Sequence, residues 1–268
     1  MNLDLTSQAG FDLCLDTEVP DVTTGSGIRF RRQARLVADL KQVLYQPPAD
    51  GVDSTLYWTY TLLDAGEFQP AFESMRLTFG LVLLPGKTVG EEHVKTHGHY
   101  HSTMPGSAIG YPEVYTHYFG ELYLYAQRRR YGQTAELDDC VIYKMVPGQS
   151  IMIPPGYAHI LINPSESPAL MAGLYSPDAV HEYSPVREMG GAAYYFLVSR
   201  GLEQAVPNPR YNSPPPLRQI DNPTGTRFAP PKNDQPLWSA FTTDPQCYAF
   251  ITNPEMAAAQ FAPEDLRR

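Results

Sequence analysis

Positive charge is scarce in this chain. Its 268 residues hold 20 Lys and Arg against 29 Asp and Glu, a net charge of −9, so no long-range field draws in nucleic acid or an anionic membrane and neither is expected as a partner. An anionic substrate must therefore be held by local positive charge. Cysteine is equally sparse. Cys14, Cys140 and Cys247 form neither an even set nor a CxxC pair, which excludes a disulfide framework or a cysteine zinc site as the support of the fold. No apolar run approaches the roughly 18 residues needed to cross a bilayer, and no internal repeat is visible. The opening MNLDLTSQAGFDLCLDTEVP carries Asp4, Asp12, Asp16 and Glu18 and no Lys or Arg, the opposite of a secretory or organellar leader, so a cytoplasmic protein is expected.

What is abundant points to a folded β-protein. Hydrophobic residues make up 43% and charged residues 18%, enough apolar content to bury a core. Twelve of the 26 prolines fall in residues 204 to 268, and 18 Tyr with 11 Phe favour strands and irregular loops. In residues 31 to 44, Leu36, Val37, Leu40, Val43 and Leu44 fall on one helical face, which predicts a helix ended by Pro47-Pro48. From 55 to 200 the pattern becomes short β-branched and aromatic runs: 55–63, 76–84, 91–101, 113–119, 122–127, 141–146, 150–154, 159–164 and 169–175. Turns such as PGK, PGQ and PPG separate them, which predicts an antiparallel sandwich or barrel. The expected organisation is an N-terminal arm and helix (1–50), a barrel (51–203) and a Pro-rich extension (204–268). The extension reads as an ordered arm wrapping the body or as a partly mobile tail.

Four of the seven histidines, His93, His97, His99 and His101, lie within nine residues. On a strand, side chains two apart share a face, so His97, His99 and His101 can look the same way and His99 with His101 can grip one ion. Glu113 opens the next run and His159 follows a Pro-Pro-Gly turn. Three imidazoles and a carboxylate suit one first-row divalent cation (Fe²⁺, Mn²⁺, Zn²⁺ or Ni²⁺), with coordination positions left for substrate or water. His93 and His117 read as structural or surface residues, His97 as a support to a ligand or simple packing, and Cys140 as a small core hydrophobe.

The spacing Gly148, five residues, Pro154, one, Gly156, two, His159, three, Asn163 reproduces the second cupin motif, and Glu113, six residues, Gly120 reproduces the end of the first. Eleven residues separate His101 from Glu113, where the general motif has three or four. With PGK at 85 to 87, Thr96-His97-Gly98-His99-Tyr100-His101, Glu113-Val114-Tyr115, PPGYAH and Tyr175…His181-x-Tyr183, residues 28 to 200 resemble the cupin-type phosphoglucose isomerases. The resemblance implies an all-β, jelly-roll-like cupin barrel that pairs as a homodimer. It also implies metal-dependent isomerisation between glucose 6-phosphate and fructose 6-phosphate. By position, His99, His101, Glu113 and His159 match metal ligands, and Thr96, Gly98 and Tyr175 match phosphate-holding residues. Tyr57, Tyr115, His181 and Tyr183 match sugar-facing ones, with Glu113, His181 and Tyr183 as the catalytic candidates. Two departures stand out: Gly80 where the family usually has a Thr, and Gly120-Glu121-Leu122 where it has GxG.

Moving a proton between C2 and C1 builds charge on the adjacent oxygen, which a cation can offset while Glu113 shuttles the proton. A hydride shift is the competing route. Lys95 or the metal's own charge would balance the phosphate, and Lys87 reads as a solvated turn residue. Three alternatives stay open: a cupin isomerase or epimerase acting on another sugar, a non-catalytic sugar- or metal-binding cupin, and an oxygenase using the same ligand set.

Overall fold

The computed structural model describes residues 1–25, 27–49, 54–130, 133–199 and 202–261. Two antiparallel sheets face each other. The larger has six strands in the order Ser150–Ile153, Glu113–Phe119, Ala169–Tyr175, Thr78–Leu84, Thr55–Ala65 and Ile28–Leu36. The smaller orders Tyr157–Ile162, Leu122–Arg129 and Leu137–Met145, with Arg218–Ile220 added in parallel at its edge. The expected all-β, jelly-roll-like barrel is what forms, and eight of the nine expected strand runs overlap these elements, with ends that differ by one or two residues at several of them.

Strand alternation divides the apolar residues between two layers. Leu84, Tyr115, Ile151 and Met171 turn inward to meet Leu124, Tyr143 and Leu161 of the smaller sheet. Phe79, Leu81, Val114 and Leu174 turn outward into a second core with Leu13, Leu15, Phe72, Trp238 and Phe241. The outer face is thus covered from both ends of the chain: by the small sheet Asn2–Asp4, Leu13–Asp16 and Asp21–Thr24, and by the helix Leu237–Thr243. Trp238, 1% exposed, seats its ring against Phe11 at 4.7 Å, Phe72 at 5.1 Å and Phe79 at 5.2 Å. Within residues 204 to 261 the extension is ordered and part of the core.

The helix expected over 31 to 44 does not form as such. Ile28–Leu36 is a strand paired along the whole of Thr55–Ala65, and only Val37–Leu40 and the 3-10 turn Lys41–Val43 are helical. The free edge of Thr55–Ala65 offers a row of backbone donors and acceptors, and satisfying them outweighs the modest helical preference of RRQARL. The apolar spacing still marks the buried residues from 37 onward, since Val37, Leu40, Val43 and Leu44 are all buried. The run 91–101 is likewise strand only at Glu92–His93 and Tyr100–His101. The expected boundary at 50/51 falls outside the described residues, and the strand Leu202–Pro207 runs across 203/204. Among the described residues no helix is long and apolar enough to cross a membrane.

Candidate metal centre

Residues 95 to 99 lie along the strand Tyr157–Ile162 and are fixed to it. The Thr96 amide donates to the Leu161 carbonyl at 2.9 Å, the Leu161 amide donates to Thr96 Oγ1 at 3.0 Å, and the His159 amide donates to the His99 carbonyl at 3.2 Å. Gly98 breaks the strand between them with φ +81°, and a Cβ there would lie 2.5 Å from Ile160 Cγ1, so both backbone and space call for glycine. The break sends His97 to pack edge-on against Tyr183 at 4.8 Å rather than beside His99 and His101. His159 arrives from the Pro154-Pro155-Gly156 turn. Glu113 arrives from the start of its strand, over Gly173, where a Cβ would stand 2.7 Å from Glu113 Oε1 and 2.9 Å from the Tyr115 ring.

His99, His101, Glu113 and His159 each bring one donor atom to a common point, all within 4.8 Å of one another. His99 Nε2 and His101 Nε2 face each other at 3.2 Å, and Glu113 Oε2 lies 3.5 Å from both His101 Nε2 and His159 Nε2. His101 Nδ1 is 2.9 Å from the Tyr111 carbonyl, to which it donates, which leaves Nε2 as the lone-pair side. His159 is 2% exposed and its Nε2 has no hydrogen-bond partner among the described residues. A buried, orphaned imidazole nitrogen aimed at two others and a carboxylate is costly unless a cation binds there, so the residues present fit a divalent metal. Burial, with neighbouring imidazoles adding to it, holds His99 and His159 well below the usual histidine range, which keeps them neutral and able to ligate. Burial pushes the Glu113 carboxyl up to about 8, against a hydrogen bond from Tyr115 that lowers it, so the carboxylate lacks a counter-charge that a cation supplies.

Above the ligands lies a cavity of about 140 Å³. Its far wall is the inner face of the larger sheet, where cross-strand register sets residues in rows: Gln33, Thr59, Val82 and Met171 in one, and Thr61, Gly80, Gly173 and Tyr115 in the next. Of the residues singled out in the sequence, Tyr57, Thr96, His99, Glu113, Tyr115, His159, Tyr175, His181 and Tyr183 line this cavity. His101 stands behind His99 and His159, and Gly98 packs against Ile160 and Val186 outside the lining. His181 pairs with His101 in a two-stranded ladder and stacks on His99 with ring centres 4.0 Å apart. Burial pushes it down to about 4, so it is a neutral hydrogen-bonding group, and its Nδ1 is 3.3 Å from the Tyr183 hydroxyl. Tyr175, pushed up to about 12 by burial and by Glu113, is hydrogen-bonded to Thr61 and leans over Gly80, where a Cβ would meet its ring at 3.2 Å. The hydroxyl absent at Gly80 is thus present on Thr61, its cross-strand partner.

Lys95 does not face the cavity. It is 4% exposed, paired with Glu92 at 2.8 Å and donating to the Val43 carbonyl at 2.6 Å. Lys87 donates to the Thr55 carbonyl instead of standing in solvent. Among the described residues the cation on the wall is Arg35, which with Gln33 reaches it because residues 31 to 36 form a strand and not the expected helix; Thr59 and Thr61 face it from the expected strand 55–63, where neither motif nor spacing marks them. The period-2 series Arg31, Gln33, Arg35 opposite Thr61, Thr59, Tyr57 was the signal that could have found it. His93 and His117 are buried, as is Cys140.

The family model for glucose-6-phosphate isomerase (GPI) matches residues 29–212. A glucose-6-phosphate isomerase of Thermococcus litoralis is 37% identical over 41% of this chain and 50% of its own length. Those of Pyrococcus abyssi and Pyrococcus furiosus are 31% and 32% identical over 49% and 48% of this chain, and 62% and 61% of their own. The chain thus spans about half to three-fifths of the length of these curated relatives. Among solved structures, the Momordica charantia 7S globulin aligns at 11% identity over 56% of this chain and 32% of its own, with a TM-score of 0.33. With His99, His101, Glu113 and His159 brought to one point and the family model matching residues 29–212, more than half of the chain, this chain belongs to the glucose-6-phosphate isomerase family.

Proposed function

We propose that this protein is a metal-dependent aldose–ketose isomerase that interconverts glucose 6-phosphate and fructose 6-phosphate. The observation that carries the reading is the convergence of His99, His101, Glu113 and His159 at the floor of a cavity walled by tyrosines and a neutral histidine. When bound, a divalent cation supplies Lewis-acid offset of the negative charge that builds on the sugar's O1 and O2. Glu113 is the one carboxylate on this cavity wall among the described residues, and it is the group that moves the proton between C2 and C1. The hydroxyls of Tyr57 and Tyr183, held protonated by burial, and the neutral His181 imidazole orient sugar hydroxyls by hydrogen bonding. Thr96 retains its hydroxyl proton for substrate, because its oxygen is used only as an acceptor from Leu161.

Metal-reconstituted protein incubated with phosphorylated and unphosphorylated aldoses and ketoses, followed by product NMR in D₂O, tests the reading. Deuterium at the carbon next to the carbonyl is the expected outcome of proton transfer by Glu113, and conversion without deuterium selects the hydride shift. Failure of every sugar phosphate to turn over while another sugar does would replace the substrate with that sugar.

The same reading carries a homodimer. The outer edge of Ile28–Leu36 has no strand paired to it among the described residues, and a second copy can cover it. Light scattering at micromolar concentration should give twice the chain mass, and a monomer mass would contradict it. The compartment proposed is the cytoplasm, in keeping with three free thiols.

A further inference from the structure

A buried amide stands behind the metal ligands. Gln127 is 1% exposed on the strand Leu122–Arg129, where Leu124 and Ala126 face the inner core and Tyr125 faces away from it. It is one residue out of phase with all three imidazoles. In the ladder with Tyr157–Ile162, Ala126 pairs with His159 and Gln127 with Ala158. Tyr100, whose hydroxyl accepts from Gln127 Nε2 at 3.4 Å, is the residue between His99 and His101. Gln127 is therefore tied to the chain neighbours of His99, His101 and His159, in one case by its side chain and in the other by strand pairing.

Its other bonds go to the arm that carries His181 and Tyr183. The Ala193 amide donates to Gln127 Oε1 at 2.9 Å. Nε2 donates at 3.0 Å to the Tyr211 hydroxyl, which donates onward to the Gly191 carbonyl at 3.0 Å. The Tyr125 hydroxyl donates to Oε1 at 3.0 Å and completes four bonds, the full capacity of a side-chain amide. A backbone N–H can only donate, so Ala193 fixes which end of the amide is oxygen and leaves Nε2 to the two tyrosines. The surrounding packing is apolar, with Ile160, Ile162, Ala192 and Phe196 in the same cluster as Tyr125 and Tyr211. An amide in such a place is costly unless every bond is made, whereas leucine would fill the space without that condition. Packing alone does not call for glutamine here; joining the segments does.

We propose that Gln127 is a positioning residue of the metal centre: its amide locks the segment of His99 and His101 to the arm from His181 to Ala193 from behind, so that two ligands and the sugar-facing His181 and Tyr183 keep one relative geometry. The proposal rests on the metal-dependent reading of the site and not on which sugar is turned over. At the front the same two segments meet in a second joint, where His181 pairs with His101 and stacks on His99 at 4.0 Å. Without the joint behind, the arm can pivot about that two-residue ladder and carry His99 with it.

Co²⁺ is the probe, because its visible absorption reports the arrangement of its ligands. It is titrated into the metal-free parent, Gln127→Leu, Tyr100→Phe and Tyr211→Phe, with urea unfolding of each. Groups that orient metal ligands are worth about 10- to 100-fold in affinity, and Gln127 acts through an intervening residue, so Gln127→Leu should weaken Co²⁺ by about tenfold and alter the spectrum of the bound ion. Tyr100→Phe, which removes a single oxygen and spares the fold, should reproduce about three- to tenfold of that loss. Adding it to Gln127→Leu should cost little more, because the two act through one bond. Trp238→Ala, in the core on the outer face of the larger sheet, should lower the urea midpoint and leave the Co²⁺ spectrum at the parent's. On whichever sugar the parent isomerises, Gln127→Leu should lower kcat more than it raises KM. Parent-like Co²⁺ affinity and spectrum in both Gln127→Leu and Tyr100→Phe would reduce the amide to packing and overturn the proposal with the metal centre intact. A parent that binds no Co²⁺ would remove the metal centre and the proposal with it.

Discussion

Gly173→Ala is a one-atom-group test of the metal centre, because the substituted residue is neither a ligand nor exposed. A methyl at this position would stand 2.7 Å from Glu113 Oε1 and 2.9 and 3.0 Å from two carbons of the Tyr115 ring. Ordinary carbon–carbon contact begins near ~3.5 Å, so the carboxylate and the ring must each retreat by roughly half an ångström. Gly173 pairs with Gly80 on one side and Tyr115 on the other in the middle of the larger sheet, so the backbone has little freedom to give way. Overpacking of this kind costs about 1 to 3 kcal/mol, which the fold should survive. The carboxylate's displacement is the larger effect. Disturbing the support of a metal ligand weakens metal binding about 10- to 100-fold, and a reacting group misplaced by about 1 Å costs on the order of 10²-fold in rate. Titration of Mn²⁺ or Zn²⁺ into the metal-free variant, alongside urea unfolding, separates the two. Parent-like metal affinity and turnover in a folded Gly173→Ala protein would show that Glu113 does not act from this position.

Other perturbations read different layers of the structure. Thr96→Val removes the acceptor of the Leu161 amide and should cost about 1 to 3 kcal/mol of stability in urea melts, together with a loss of affinity for phosphorylated sugar. Trp238→Ala should cost about 3 to 5 kcal/mol, because the ring is 1% exposed among Phe11, Phe72 and Phe79; unchanged stability would mean the extension does not clamp the outer core. His117 is fully buried and burial pushes it down to about 4 from 6.5. Below pH 6.5 the unfolded chain takes up a proton that the folded one does not, so its contribution is lost as pH falls from 6.5 toward 4 and levels off below. The slope is about 1.4 kcal/mol per pH unit, and His117→Gln should flatten the parent's stability profile by one proton in that window.

Much of the site was legible because it is local in sequence. His99 and His101 are two residues apart, and the spacing from Gly148 to Asn163 fixes the turn that delivers His159. The eleven residues between His101 and Glu113 do not spoil the centre, since Tyr111 at their end supplies the carbonyl that orients His101. What stayed hidden depends on partners far along the chain. Arg35 reaches the cavity only because Ile28–Leu36 finds the open edge of Thr55–Ala65, and the local pattern LVADLKQVL argued for a helix. Gly80 read as a lost hydroxyl, whereas register sets Thr61 beside it and Tyr175 over it. The prolines around 204 to 236 masked the helix Leu237–Thr243, whose aromatic residues complete a core begun by the first fifteen residues.

On the proposed function, a cation held by His99, His101, Glu113 and His159 is what turns this barrel into a sugar-phosphate isomerase. The most direct measurement is glucose 6-phosphate turnover, followed by NMR in D₂O, in metal-loaded, chelator-stripped and His159→Ala protein with metal content measured in each. Fructose 6-phosphate formed by the loaded protein, lost on stripping, restored by re-addition and absent in His159→Ala together with the metal is the predicted result. Stoichiometric metal retained in His159→Ala, or turnover undiminished in stripped protein, would contradict it.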